Sequence, residues 1–233
     1  MDIKVISTGS GGNAYRVSDG KTAVLLDAGI PFRELHRALG YRLSDISGAL
    51  VTHAHQDHAK ACKDLLYRGM DVYTSRGTIE ACGLFSPRLH AVKSLAPFTV
   101  GTFKALPFDV AHDAPEPLGF LLTSESSGER LLYFTDTFYI KYRFPGVTHL
   151  LGECNHDEKG IEDAVRLGYI PAELAPRLVR SHMSLQTFIE FLKKMDRTRL
   201  RQIYLLHMSE NNSDEARFVR EVAKLTGVEV YAP

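Results

Sequence analysis

Gly48-Ala49-Leu50-Val51-Thr52-His53-Ala54-His55-Gln56-Asp57-His58 is the stretch that decides how this chain is read. Its first five residues form an apolar run of the length and composition of a buried strand. The next six hold His53, His55, Asp57 and His58. Ala59 to Arg68 then has the composition of a helix. The ligand-type residues therefore fall on a loop, between the carboxyl end of a strand and the start of a helix. Neutral imidazole suits Zn²⁺, and a carboxylate among imidazoles suits Zn²⁺, Mn²⁺ or Fe. Such side chains crowded into one short loop have no packing role there; a bound cation accounts for them.

Working outward, Ile3 to Thr8 and Ala14 to Val17 predict a hairpin around Gly9-Ser10-Gly11-Gly12-Asn13. Lys21 to Asp27 predicts another strand, and Pro31 to Leu39 a short helix with proline in its first turn. Downstream, a strand is expected at Asp71 to Thr74 and a helix near Thr78 to Cys82. His90 to Thr135 is β-rich, punctuated by Gly101, Pro107 and Gly119. The last third alternates. Strands are expected at Thr148 to Glu153, Gln202 to Leu206 and Val228 to Tyr231. Helices are expected at Leu185 to Met195 and at Ser213 to Thr226, the latter with Ser213 as N-cap and Gly227 as its end. No linker, repeat or low-complexity segment interrupts the pattern. Periodicity alone predicts an α/β or α+β protein, one domain over residues 1–233.

Composition narrows the class. Hydrophobic residues are 44% and charged residues 24% of the 233, enough for a large core. No run is long and apolar enough to span a bilayer. Met1 to Ile6 starts directly as a strand, so no signal peptide is expected. Cys62, Cys82 and Cys154 are odd in number and far apart, which predicts reduced thiols and a cytoplasmic protein. Lys plus Arg equals Asp plus Glu, at 28 each. That balance argues against a broad basic footprint for nucleic acid and leaves room for a local patch.

His-x-His-x-Asp-His behind an apolar strand resembles the signature of the metallo-β-lactamase superfamily, and the resemblance extends over nearly the whole chain. It implies an αββα sandwich, two mixed β-sheets flanked by helices. It also implies three more ligands at strand ends. His112 follows Pro107-Phe108-Asp109-Val110-Ala111, Asp136 follows Leu131-Leu132-Tyr133-Phe134-Thr135, and His207 follows Ile203-Tyr204-Leu205-Leu206. By this resemblance His53, His55 and His112 hold one divalent cation, Asp57, His58 and His207 hold a second, and Asp136 bridges them. Zn²⁺ and Mn²⁺ both suit the set. Two cations so placed suit a bridging hydroxide and a clamp on a phosphoryl group. Antibiotic-hydrolysing members usually carry Cys at the position of Asp136, and flavodiiron members an acid at that of His55; neither departure occurs here.

Glu153 and His182 narrow the branch. A similar pair occurs in the superfamily's nucleases that mature tRNA 3′ ends, where the Glu orients a His that helps protonate the leaving oxygen. Several stretches resemble more closely a bacterial branch of small exonuclease-like proteins, the YycJ/WalJ-like proteins. They are Thr8-Gly9-Ser10-Gly11-Gly12-Asn13, Glu153-Cys154-Asn155-His156-Asp157, Gly168-Tyr169, Arg177, Ser181-His182-Met183-Ser184 and Asn211-Asn212. Ser181 stands where that branch tends to have Gly, a change of little cost if the backbone there is not at positive φ. The implied function is a dinuclear metal-dependent phosphodiesterase. Its implied substrate is nucleic acid, cut in an exonuclease-like manner, with Asp57, His182 and Glu153 as catalytic residues. A small-molecule phosphodiester or thioester hydrolase with the same centre is the other reading.

Some residues keep two readings. His182 is a proton donor or a neighbour of a helix cap. Glu153 is its partner or an exposed strand-end carboxylate. His156 and Asp157 support the site or form a polar turn. Asn13 and its glycines offer N–H groups to a phosphate or form a plain hairpin turn. His36, His90 and His149 are expected to be structural or exposed.

Overall fold

Ala23-Val24-Leu25-Leu26 and His149-Leu150-Leu151-Gly152-Glu153 are buried at every position. Strands buried on both faces carry no polar-out alternation, the pattern of parallel pairing under helices. The computed structural model describes residues 1–171, 173, 175–209 and 213–233, without the side chains of 175, 177 and 178. The strands form two mixed sheets flanked by helices. The chain divides into two compact units, Met1–Asp109 with Ala114–Glu129, and Val110–Asp113 with Arg130–Pro233. No helix among the described residues is long and apolar enough to cross a membrane.

The first unit opens with β1 (Asp2–Ser7), β2 (Ala14–Ser18), β3 (Ala23–Leu26) and α1 (Phe32–Ala38). It continues with β4 (Ala49–Leu50), α2 (Gln56–Ala59), α3 (Cys62–Tyr67), β5 (Val72–Thr74), α4 (Arg76–Cys82) and β6 (Leu89–Ala91). These six strands lie in one sheet in chain order. β1, β2 and β3 pair antiparallel; β3 to β6 pair parallel. β7 (Phe98–Val100), β8 (Phe103–Asp109) and β9 (Leu118–Ser124) follow as an antiparallel run. Leu25, Leu35, Ala49, Val51, Cys62, Leu65 and Val72 are core residues that leave no surface exposed. Each large aliphatic side chain so buried contributes roughly 1.5–3 kcal/mol against its exposed state.

The second unit holds β10 (Arg130–Phe134), β11 (His149–Glu153), α5 (Glu158–Arg166), α6 (Ala175–Ser181), α7 (Leu185–Lys194), β12 (Gln202–Leu206), α8 (Glu215–Thr226) and β13 (Glu229–Tyr231). Its strands pair parallel throughout. Helix starts follow capping chemistry: Ser184 accepts from the Thr187 amide at α7, and Asp157 from the Gly160 amide at α5. Leu185, Phe188 and Leu192 form the buried face of α7.

Two expectations change, and two helices lie outside any expectation. Ala59 to Arg68 is not one helix: the Ala61 amide donates to the Ala28 carbonyl, and α2 and α3 separate there. Asp214, not Ser213, caps α8, because the Ser213 hydroxyl donates to the Ser209 carbonyl. α5 and α6 lie where the sequence offered no clear period.

Candidate metal centre

In the first unit, parallel pairing of β3 and β4 sets Leu26 beside Leu50. That register brings Asp27, just past β3, to the loop that leaves β4. Its Oδ1 accepts from the Thr52 amide at 2.7 Å, and its Oδ2 lies 2.7 Å from His58 Nδ1. Both partners are fully buried. A carboxylate on Nδ1 fixes the imidazole's orientation and makes Nε2, which lies 3.2 Å from Asn13 Nδ2, the nitrogen a cation would use, the usual support of a metal-binding histidine. The Thr52 hydroxyl donates to Asp27 and lies 3.0 Å from His53 Nδ1. The His53 ring is 4.8 Å from the His55 ring and 4.2 Å from the His58 ring, and Asp57 Oδ2 is 3.5 Å from His58 Nε2.

Backbone contacts hold this loop close. A Cβ on Gly29 would land on the Asp57 carbonyl, so only glycine permits the approach. The Asn13 amide donates to the same carbonyl at 2.7 Å, and Asn13 Nδ2 reaches it at 3.3 Å. Asn13 Oδ1 accepts from the Gly9 amide and the Tyr15 hydroxyl. The Gly-rich loop is thus a hairpin connection stapled by Asn13, which in turn braces the histidine loop.

In the second unit, the register sets Phe134 beside Gly152 and Glu153 beside Leu206. The residues at these carboxyl ends, Asp136, Glu153 and His207, therefore meet at one edge. His182, between α6 and α7, joins them, and ligand atoms of all four lie within 4.8 Å of one another. His207 Nδ1 is 3.1 Å from Asp136 Oδ1 and 3.1 Å from Glu153 Oε1. His182 Nδ1 is 2.6 Å from Glu153 Oε1 and 3.7 Å from Asp136 Oδ1. His112 Nε2 is 3.8 Å from Asp136 Oδ2.

Glu153 is fully buried, and its Oε2 accepts from the Thr137 amide at 2.8 Å and the Met183 amide at 3.3 Å. Burial works against its charge, but the His182 cation beside it and bonds from His182 and His207 hold its pKa below the usual value. Burial likewise disfavours charge on His182, yet the Glu153 carboxylate, its hydrogen bond and Asp136 outweigh it and raise the pKa to about 9. His207 is raised for the same reasons, with Asp136 the leading partner. His207, between two carboxylates, occupies ground that a cation can take instead of a proton. The donors, imidazole nitrogen and carboxylate oxygen, fit a divalent metal.

Within each unit the predicted residues thus fall together: His53, His55, Asp57 and His58 in the first, and His112, Asp136, Glu153, His182 and His207 in the second. Glu153 is buried beside His182 and is no exposed strand-end carboxylate. Ser181 is not at positive φ, so its departure from Gly costs little. Asp157 caps α5 and pairs with Arg217. His156 is buried, its carbonyl accepting from the Leu185 amide. His149 is buried beside the Thr148 hydroxyl, His90 pairs with Asp71, and His36 stacks on Phe32. Asn211, Asn212 and the Arg177 side chain lie outside the described residues.

Asp27, Thr52, Thr137 and Asn155 went unnoticed as supports. Asn155 Nδ2 donates to the His207 carbonyl at 2.7 Å. The available signal for Asp27 was an acid directly after a fully apolar strand, followed by Ala28-Gly29.

Comparison with known proteins agrees with this geometry. Exodeoxyribonuclease WalJ of Streptococcus pneumoniae strain D39 is 27% identical over 241 residues, covering 96% of this chain and 86% of that protein. Exodeoxyribonuclease YycJ of Bacillus anthracis is 26% identical over 242 residues, covering 97% and 87%. The crystal structure of the metallo-β-lactamase fold protein YhfI from Bacillus subtilis superposes with a TM-score of 0.75 at 17% identity, over 99% of this chain and 95% of that one, and so shares the fold. The model of the Beta-lactamase superfamily domain matches residues 22–208. Strand-end histidines and carboxylates on mixed sheets flanked by helices, with a family model matched over most of the chain, establish that this protein belongs to the metallo-β-lactamase superfamily.

Proposed function

We propose that this metal-dependent hydrolase is a dinuclear phosphodiesterase that cuts nucleic acid in an exonuclease-like manner, with residues 1–233 as one functional domain. The observation that carries the reading is the Glu153–His182 pair, a buried carboxylate 2.6 Å from an imidazole that is part exposed and beside Asp136. A protein that only stores metal has no use for a carboxylate-held imidazole beside the seven proposed ligands. The names of the relatives, exodeoxyribonucleases, supply the substrate class.

His53, His55 and His112 would hold one cation and Asp57, His58 and His207 the other, with Asp136 shared. Zn²⁺ and Mn²⁺ both fit this donor set. When bound, such a pair lowers the pKa of a water and neutralises charge on phosphoryl oxygens. Asp27 and Thr52 keep His58 and His53 turned for this task. Glu153 holds His182 by Nδ1, so the proton passes to the departing oxygen from Nε2. The three cysteines, none in a disulfide, suit a reducing cytoplasmic setting.

The test is an assay of the pure protein, loaded with Mn²⁺ or Zn²⁺, on single- and double-stranded DNA, RNA and a chromogenic phosphodiester. Release of nucleotides from DNA ends is the expected outcome. Turnover of the small ester with none on any polymer would replace this reading by a small-molecule hydrolase.

A further inference from the structure

Phe138-Tyr139-Ile140-Lys141-Tyr142-Arg143-Phe144 alternates aromatic and basic residues directly after Asp136-Thr137. With α7 this segment lines a groove of about 320 Å³, in the size range of small-ligand pockets at roughly 300–1,000 Å³. Tyr139 faces it from one side, and Phe191 and Lys194 from the other. Phe138 is 38% exposed and Tyr139 42%, with their rings 4.7 Å apart and tilted by 57°. Exposed aromatic rings at a turn have no core role to explain them. Lys141 lies over the Tyr142 ring at 5.0 Å. Lys141, Arg143 and Lys194 are exposed. The acid in the lining, Glu190, is paired with Lys193 at 2.7 Å. A chain with no net charge thus carries a local positive strip edged with exposed rings.

Both walls start at the candidate centre. The Thr137 amide donates to Glu153, and the Thr137 hydroxyl accepts from the Ala111 amide and donates to the Tyr139 carbonyl. The aromatic loop is thereby tied to the carboxylate that holds His182. The other wall, α7, begins three residues beyond His182. Tyr139 is three residues from Asp136, so its Cα lies at most about 11 Å from that of Asp136.

We propose that this groove is a binding subsite for single-stranded nucleic acid. A base next to the cleaved linkage stacks on Tyr139, and Arg143 and Lys194 hold the backbone phosphates. The inference rests on the nuclease reading above and adds where the polymer lies. Flat rings beside cations are how sequence-tolerant proteins hold single strands, since every base has a face to stack. A small phosphodiester has neither a second base nor a second phosphate to place there.

The test uses the metal-loaded enzyme, a fluorescent single-stranded DNA oligonucleotide and a chromogenic phosphodiester. Tyr139→Ala should raise KM and Kd for the oligonucleotide roughly 5- to 100-fold, the usual effect of losing one stacked base. Turnover of the small ester should stay unchanged, and Tyr139→Phe, which keeps the ring face, should behave as wild type. Arg143→Ala with Lys194→Ala should flatten the salt dependence of binding, by about 0.7 in log–log slope for each phosphate no longer neutralised. Wild type that cleaves DNA while none of these variants alters KM, Kd or salt slope would overturn the subsite and leave the nuclease reading standing. Wild type that binds the oligonucleotide through Tyr139 without cleaving any polymer would overturn the nuclease reading alone. Wild type that neither binds nor cleaves overturns both.

Discussion

The His53–His58 loop and the set around Asp136 assemble the same kinds of donor by different means. In the first, a single strand delivers four side chains, and the structural effort goes into holding one loop. Gly29 lets the Asp57 carbonyl approach, Asn13 bonds that carbonyl, and Asp27 orients His58. In the second, Asp136, Glu153 and His207 each arrive on a separate strand, and parallel register brings them together. The supports nevertheless match. Asn155 bonds the His207 carbonyl as Asn13 bonds that of Asp57. Asp27, Asp136 and His207 each follow a strand in left-handed backbone, at φ 56°, 46° and 54°. Non-glycine residues there cost about 1 kcal/mol or more each, a strain kept where a side chain must turn sharply from a strand end. A contiguous cluster depends on its loop, whereas a dispersed one depends on every strand beneath it.

The largest effects should come from the proposed ligands, and they separate the two proposed cation positions. His55→Ala should abolish hydrolysis and leave one cation bound, because it removes a donor from one position only. Asp136→Ala should abolish hydrolysis and lower metal content further, since the carboxylate proposed to be shared goes. Metal analysis of the purified variants beside turnover decides the matter. Wild-type turnover with full loading in either variant would remove that residue from the centre.

That difference also governs what could be read in advance. The hexapeptide around His55 carries its own meaning, since no fold need be known to see four donors in six residues, although the structure puts Asp57 and His58 on α2 and not on a loop. His112, Asp136 and His207 have no such local signature. Each is one polar residue after an apolar run, and the family pattern singled them out. Asp27 has the same local signal and was passed over. Its role depends on Leu26 pairing beside Leu50, a register that sequence does not display. α5 was missed because only Ile161 and Ala164 are buried along it, too few for a visible period. The break between α2 and α3 is a tertiary effect: the Ala61 amide bonds Ala28 in place of a helical carbonyl.

His182 tests whether the second cluster does more than bind metal. His182→Ala should slow hydrolysis of DNA by roughly 10²- to 10⁴-fold. Metal content should stay near wild type, and the loss should shrink for a nitrophenyl ester, whose leaving group needs no proton. The donating form is protonated, so the rate should fall as pH rises through the His182 pKa. Glu153→Gln removes the negative charge that raises this pKa, and the alkaline limb should move to lower pH in rate profiles. Loss of metal in His182→Ala would make His182 a ligand, and an unchanged rate would make it a neighbour of the Ser184 cap.

Asp27→Ala tests the support of the first cluster. His58 loses the carboxylate on Nδ1, and metal affinity should fall about 10- to 100-fold, as for other carboxylates behind a ligating histidine. Titration of metal-free protein measures it, with circular dichroism to confirm the fold. An unchanged affinity would mean that the His53–His58 loop orients its own histidines.

The smallest effect should come from Asp19, a carboxylate of the first unit held by neutral donors. Its Oδ2 accepts from the hydroxyls of Thr102, Ser124 and Ser126 at 2.6–2.7 Å, and its Oδ1 from the Lys21 and Thr22 amides. Burial opposes its ionisation, but the bonds from Ser124, Thr102, Thr22 and Ser126 prevail and hold the carboxyl well below the usual range. A depressed folded pKa stabilises fully above the unfolded value of 3.8 and loses its effect as pH falls through the folded one. Asp19→Asn should therefore cost about 1 kcal/mol at neutral pH, at the low end for bonds to a charged group because solvent reaches this one. Urea unfolding should show the gap to wild type closing as pH drops below about 4. Metal content and turnover should not move. If Asp19→Asn lowered metal content, the strand-turn hub at Asp19 would be coupled to the histidine loop, and the first cluster would depend on its sheet as much as the second does.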